Sequence, residues 1–304
     1  MGPISKKVIA ELKKVKNKKI IDFKEMKEAK KYAEDLNKTI ISEEKLAKYD
    51  PLHAAYIYAQ NKVSILVEQL SMVPALSKLT NNLIQADDIY LPSSPPQSPL
   101  TKSYFQCWGA FDLCAGIKKE TFGTIILNLL KNEKADPDLL KTIECMQNSR
   151  MGIFVHKGNS EHYTFLEELV TGQEIKAIVP SGYQGYKDQV WFARVMPEPY
   201  PELNCDYWVV LTTPYLLTEM KGNGVIPGTS EGWKAFFDRN LETGGKQDTL
   251  KKYHSLMKYG KNRHFWNEFI FEGYVNYQQD MIFLAGYPDI PLSMPLSKES
   301  QERY

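Results

Sequence analysis

The stretch Met151–Pro214, MGIFVHKGNSEHYTFLEELVTGQEIKAIVPSGYQGYKDQVWFARVMPEPYPELNCDYWVVLTTP, decides the fold. Five runs in it, 151–157, 163–170, 174–179, 189–196 and 206–213, have strand length and are rich in β-branched and aromatic residues. Their period is close to two. Met151, Ile153 and Val155 face one way and Gly152, Phe154 and His156 the other, while Tyr207, Val209 and Leu211 alternate with Trp208, Val210 and Thr212. Both faces carry apolar groups, so both need cover, which a sheet curled on itself inside a second layer supplies. Lys157-Gly158-Asn159-Ser160 and Thr171-Gly172 are short enough to join antiparallel neighbours, whereas Pro197, Pro199 and Pro201 remove ladder donors between the fourth and fifth runs. The expectation is an α+β fold: a five-stranded antiparallel meander or small β-barrel over about 151–214, covered by helices.

The flanks supply the cover. On the N-terminal side, Tyr104, Trp108, Phe111 and Ala115 fall at helical spacing with Gly116 as a stop, and Phe122, Ile125, Ile126, Leu129 and Leu130 mark a second helix. Asp136 caps a third helix with Pro137 at its first position, carrying Leu139, Leu140, Ile143 and Met146. Before these lies Leu91–Leu100, whose four prolines forbid a helix and mark a Pro/Ser-rich linker. Residues 1–90 form a helical N-terminal region: an amphipathic helix over 4–20, short helices over 23–37 and 42–49, and a long stretch over 53–89 that Pro74 splits. Residues 101–304 form an α+β domain whose C-terminal part is helical. There Thr229 or Ser230 caps a helix with Trp233, Phe236 and Phe237, Gly244-Gly245 breaks the chain, and 262–277 reads as a final amphipathic helix after a loop over 221–228.

Charge and composition bound the function. The 304 residues carry 38 basic and 37 acidic side chains, net +1, but Met1–Lys31 holds eleven lysines against four acids, a basic head on a mildly acidic body. No apolar run approaches the roughly 18 residues that span a bilayer, and the first twenty lack the apolar core of a secretory signal. Four cysteines without CxxC spacing, Cys107, Cys114, Cys145 and Cys205, suit a reducing compartment, and the expectation is a cytoplasmic protein with no cofactor.

From Pro92 through Leu217, and again around Tyr259-Gly260 and Ala285-Gly286-Tyr287-Pro288-Asp289, the chain resembles uncharacterised bacterial proteins. The run Leu166-Glu167-Glu168-Leu169-Val170-Thr171-Gly172 followed by Ala193-Arg194-Val195-Met196-Pro197 is also similar to a small strand-rich module of other such proteins, some of which carry a cysteine-rich SEC-C zinc motif. That motif is absent here, and the resemblance implies no activity.

Four constellations could carry chemistry. His264 and Glu268 stand at i, i+4 with Glu272 one turn on, a spacing that suits a shared metal or proton and equally an exposed ion pair. His156 and His162 flank the first hairpin turn and could supply two metal ligands, with Cys205 as a third. Ser181 lies in the glycine-rich loop Pro180–Gly185, which is not GxSxG and leads into a strand, so it reads as a binding loop before a nucleophile turn. Arg150, Tyr183, Tyr186, Trp191 and Arg194, together with Ser181, could form an aromatic and cationic binding surface for bases or peptides. With no local nucleophile-and-base pair, cofactor loop or metal set, the leading expectation is a non-catalytic protein that binds another protein through the sheet and its loops. Nucleic-acid binding through the lysine-rich head is the second, and a hydrolase assembled from dispersed His and Glu residues the third.

Overall fold

The structure is a computed structural model that describes residues 1–16, 31–32, 34–36, 38–90, 101–221, 224–241, 246–259, 271–276 and 281–286. Its N-terminal half is helical: α1 (Pro3–Lys16), α2 (Glu43–Leu46), α3 (Pro51–Ser71), α4 (Ser77–Tyr90), α5 (Lys102–Phe111), α6 (Phe122–Asn132) and α7 (Pro137–Asn148). Asp50 caps α3 by accepting from Leu52 and His53 N–H, and Asp136 caps α7 in the same way, each ahead of a proline at the first helical position. Pro74 splits the long helical stretch as its missing N–H requires, ending α3 at Ser71 and opening a 3-10 turn, Pro74–Leu76, before α4. The aromatic helix stops sooner than its spacing suggested. α5 ends at Phe111, and Cys114–Ala115 (β1) instead pairs with Glu120–Thr121 (β2).

All five strand-length runs are strands: β3 (Met151–Ser160), β4 (Tyr163–Glu168), β5 (Glu174–Ile178), β6 (Val190–Met196) and β7 (Trp208–Val210). They close into a barrel, in which β3 pairs with β4 and β6, β4 with β5, and β7 with both β5 and β6. The circuit is therefore β3-β4-β5-β7-β6 and not a plain meander, since β6 crosses to the far side of β3 and β7 lies parallel to β5. β3 serves two neighbours because it is long: residues 151–155 pair with β6 and 154–160 with β4, with a bulge between His156 and Gly158.

The period of two separates two cores. Inward-facing Phe154, Leu166, Ile175, Trp191, Val195 and Val210 fill the barrel, with Phe154 opposite Trp191 and Leu166 opposite Ile175 on the ladder. Gly152 faces Ala193 across the ladder, and a Cβ at Gly152 would fall 2.7 Å from the Phe154 ring. Outward-facing Met151, Ile153, Phe192, Met196 and Val209 join Val8, Leu52, Tyr56, Phe111, Phe122 and Ile126 in one continuous outer core, so the N-terminal helices and the barrel wall share buried surface. Each fully buried side chain of this size contributes about 1.5–3 kcal/mol.

Past the barrel the chain adds strands that periodicity did not reveal. β8 (Tyr215–Lys221) and β9 (Gly224–Pro227) form a hairpin where a loop was expected. Thr229 caps α8 (Ser230–Asn240), and α9 (Lys246–Tyr259) follows. Phe271–Asn276 is a strand, β10, antiparallel to β11 (Met281–Gly286), which corrects the helix expected over 262–277. The alternation Phe271, Gly273, Val275 against Glu272, Tyr274, Asn276 suits a pleat, and Gly273 weakens a helix.

Candidate binding site at the end of the barrel

The glycine-rich loop between β5 and β6 is held across one end of the barrel. Gly182, Gly185 and Asp188 take left-handed backbone angles, φ 78°, 62° and 70°, which turn it back on itself. Gly185 is pressed against the core: a Cβ there would stand 2.3 Å from Trp191 Cζ2. Gln189 is the anchor at the far end, where its Oε1 accepts from Tyr186 N–H, the Tyr183 hydroxyl and Trp191 Nε1–H at 3.0–3.2 Å.

His156 is the anchor from inside. It is fully buried, with its ring 4.9 Å from that of Trp191. Nδ1 accepts from Gly158 N–H at 3.1 Å, which leaves the proton on Nε2, and Nε2 donates to the Gln184 carbonyl at 3.0 Å and to Asn159 Oδ1 at 3.2 Å. Burial pushes its pKa below the ordinary value, against the hydrogen bonds it donates to the Gln184 carbonyl and Asn159 Oδ1, so the ring is neutral at pH 7. The backbone closes the same joint, with Asp188 N–H donating to the His156 carbonyl and His156 N–H to that of Gln189. The crest of the loop stands free. Tyr186 is 72% exposed, and Lys187 and Asp188 beside it are exposed.

That crest forms one wall of a cleft of about 760 Å³. β6 and β8 pair only at Trp191–Leu216 and Phe192–Tyr215, and the space opens where they diverge beyond Val190 and Leu217. The opposite wall is the turn Pro227–Glu231 leading into α8, fixed by Gly228 N–H donating to the Leu217 carbonyl and by the Thr229 cap on Gly232 N–H.

The sequence candidates divide between this cleft and the core. Tyr186 and Ser181 are exposed on the loop, and Tyr183 is half-buried beneath it. Trp191 is wholly inside the barrel, and Arg194 is 1% exposed beneath the helices, so packing and not a partner occupies both. Arg194 forms ion pairs with Asp112, which also holds Lys258 Nζ at 2.9 Å; Lys258 donates further to the Gln147 and Ser149 carbonyls. Burial pushes the Lys258 pKa down, against the pull of Asp112. Arg150 clasps Glu168 with both terminal nitrogens and donates from Nε to His254 Nδ1, while the Tyr253 hydroxyl donates to Glu168 and accepts from Ile153 N–H. These two buried charge clusters lock α9 to the barrel wall. Their partners lie 18 to 146 residues apart, and no local signal announces them.

His156 and His162 are not brought together: His156 points into the barrel, and His162, in the hairpin turn, stacks on outward-facing Tyr163 at 4.0 Å. Cys205 sits elsewhere, against the Leu203 carbonyl and the Tyr207 hydroxyl. Among the described residues no three His, Cys, Asp or Glu side chains converge as a cation site. No hydrogen bond joins Ser181 to an imidazole or carboxylate among the described residues. His264 and Glu268 lie outside the described residues. No described helix is long and apolar enough to cross a membrane. Comparisons with protein-family models, with curated proteins and with solved structures gave no match to this chain.

Proposed function

We propose that the protein is a non-catalytic binding protein that holds its partner in the cleft between the Pro180–Gln189 loop and the start of α8. One observation carries this reading: a loop fastened at His156, Gly185 and Gln189 raises Tyr186 on the rim of a cleft of about 760 Å³. Pre-organised loops with an aromatic at the crest lose little conformational freedom on association, which is the condition for a tight site. Of the sequence candidates among the described residues, His156 is held in a neutral internal joint and Arg150 and Arg194 are held in ion pairs with Glu168 and Asp112.

A photo-crosslinking residue in place of Tyr186 tests the reading, with Met72, 65% exposed on the helical side, as the control position. A discrete adduct from Tyr186 and none from Met72 is the expected result. Identical labelling from both positions, or a turnover abolished by replacing Ser181 or His264, would overturn it.

Two features favour nucleic acid as a second reading. The closed five-stranded barrel, with its first strand between the second and fourth and its third parallel to its fifth, is similar to the small Greek-key barrels among which binders of oligonucleotides and oligosaccharides occur. α1 presents Lys6, Lys7, Lys13 and Lys14 to solvent while it buries Ser5, Val8 and Ile9. Such binding weakens steeply with salt, and no gel retardation of single-stranded DNA or RNA at low ionic strength would remove this reading.

A further inference from the structure

A second face of the barrel, separate from the cleft, is left open by the described helices. On the outward side of β4 and β5, Phe165 stands opposite Lys176, and Glu167 stands directly opposite Glu174. Phe165 is 39% exposed, an unusual placement for a phenyl ring on an otherwise filled barrel. Its other cross-strand neighbour is Gly158 at the bulge, where a Cβ would find no atom within 4 Å, so one flank of the ring is open. The two glutamates are a like-charge pair at the shortest cross-strand separation, an arrangement that opposes sheet stability. Lys157 pairs with Glu167 at 2.8 Å, and Glu174 has no ion pair among the described residues.

The surroundings decide what this face can accept. Glu161, Glu167, Glu174 and Asp206 border it against Lys157 and Lys176, and both lysines are already paired, with Glu167 and Asp206. The edge is net negative, which repels a phosphate backbone. Beside Phe165 the rings of His162, Tyr163 and Tyr207 form a chain with centroids 4.0 and 5.3 Å apart, and Lys176 already lies over Tyr163 at 4.7 Å. An ammonium or guanidinium group over an aromatic ring is thus a contact that this surface already makes within the chain.

We infer that the β4–β5 face docks a lysine- or arginine-rich polypeptide segment. One basic side chain lies over Gly158 with its stem along Phe165, and its charge relieves the repulsion between Glu167 and Glu174. The inference does not depend on the cleft.

The test is a titration of the full chain with a fluorescent octalysine peptide, read by anisotropy at two salt concentrations. The wild type should bind, and more weakly at high salt. Glu174→Lys should weaken binding roughly tenfold by reversing a charge at the contact, and Phe165→Ser about two- to fivefold, the contribution of an exposed cation–π contact. Neither change should prevent folding: the thermal midpoint of Glu174→Lys should equal or exceed that of the wild type, because the like-charge pair is gone, and that of Phe165→Ser should fall only slightly, so cooperative melting of both excludes misfolding as the cause. No binding, or equal binding by the wild type and both variants, would overturn the inference. So would a loss caused by Tyr186→Asp instead, which would assign the peptide to the cleft, or preferential binding of oligo-dT or a neutral oligosaccharide at this face.

Discussion

Replacing His156 by Phe isolates the joint that holds the loop across the barrel. The phenyl ring keeps the volume and the contact with Trp191, so no large cavity opens. What changes is the hydrogen bonding. The Gln184 carbonyl keeps its donor from Asn159 Nδ2 at 2.9 Å, and Asn159 Oδ1 keeps that from the Thr164 hydroxyl at 2.8 Å. Gly158 N–H, which is half-buried beside open space, loses its acceptor at about 1 kcal/mol, the low end of the range for a stranded donor, and the lost Nε2 bond adds about 0.5–1.5 kcal/mol. The expected loss is about 1.5–2.5 kcal/mol at pH 7.5.

The loss depends on pH with a definite sign. Burial holds the folded His156 pKa below its ordinary value, so over that window the unfolded chain binds a proton that the folded chain does not. Wild-type stability therefore falls as pH drops from about 6.5, by at most about 1.4 kcal/mol per pH unit from this group. The variant lacks this term, and its deficit should narrow between pH 7.5 and 5.5. His53 and His254 are also lowered by burial and keep part of the slope in both proteins, so the difference between the two is the readout. Urea unfolding at pH 7.5, 6.5 and 5.5 with unchanged m-values measures it. A variant as stable as the wild type at pH 7.5, or a deficit that does not change with pH, would refute the assigned tautomer and the joint.

Asp112→Ala leaves Arg194 and Lys258 together in the core without a carboxylate and should cost about 3–5 kcal/mol in urea unfolding, whereas replacing the whole triad by apolar residues should recover much of it. Gly185→Ala forces a Cβ onto the Trp191 ring at a left-handed backbone position, and about 1–3 kcal/mol of destabilisation is expected, with a matching change in tryptophan fluorescence.

The alternation from Met151 to Thr213 was enough to place five strands and to show that both faces needed cover. It even sorts the residues correctly: His156 and Trp191 fall on the filling face, Arg194 on the face the helices cover. Periodicity is blind to partners, however. The insertion of β7 between β6 and β5 depends on pairing between residues as distant as Ala177 and Trp208, and no local pattern encodes that register. Taking Trp191 and Arg194 as surface groups followed from weighing residue type above parity, and the covering charges, Asp112 and Lys258, lie 82 and 64 positions away. On the candidate site, Tyr186 and the loop were legible from glycine and turn chemistry. The opposing wall was not, because β8 and β9 occupy a stretch whose glycines and proline read as a loop.

A native mass spectrum of the protein, purified gently at low salt and compared with Tyr186→Asp, tests the central claim most directly. Tyr186 is on the surface, so the variant should fold as the wild type does. The account predicts a bound chain or molecule on the wild type that the variant has lost. The same bound species on both proteins, or a bare chain from both, would contradict it.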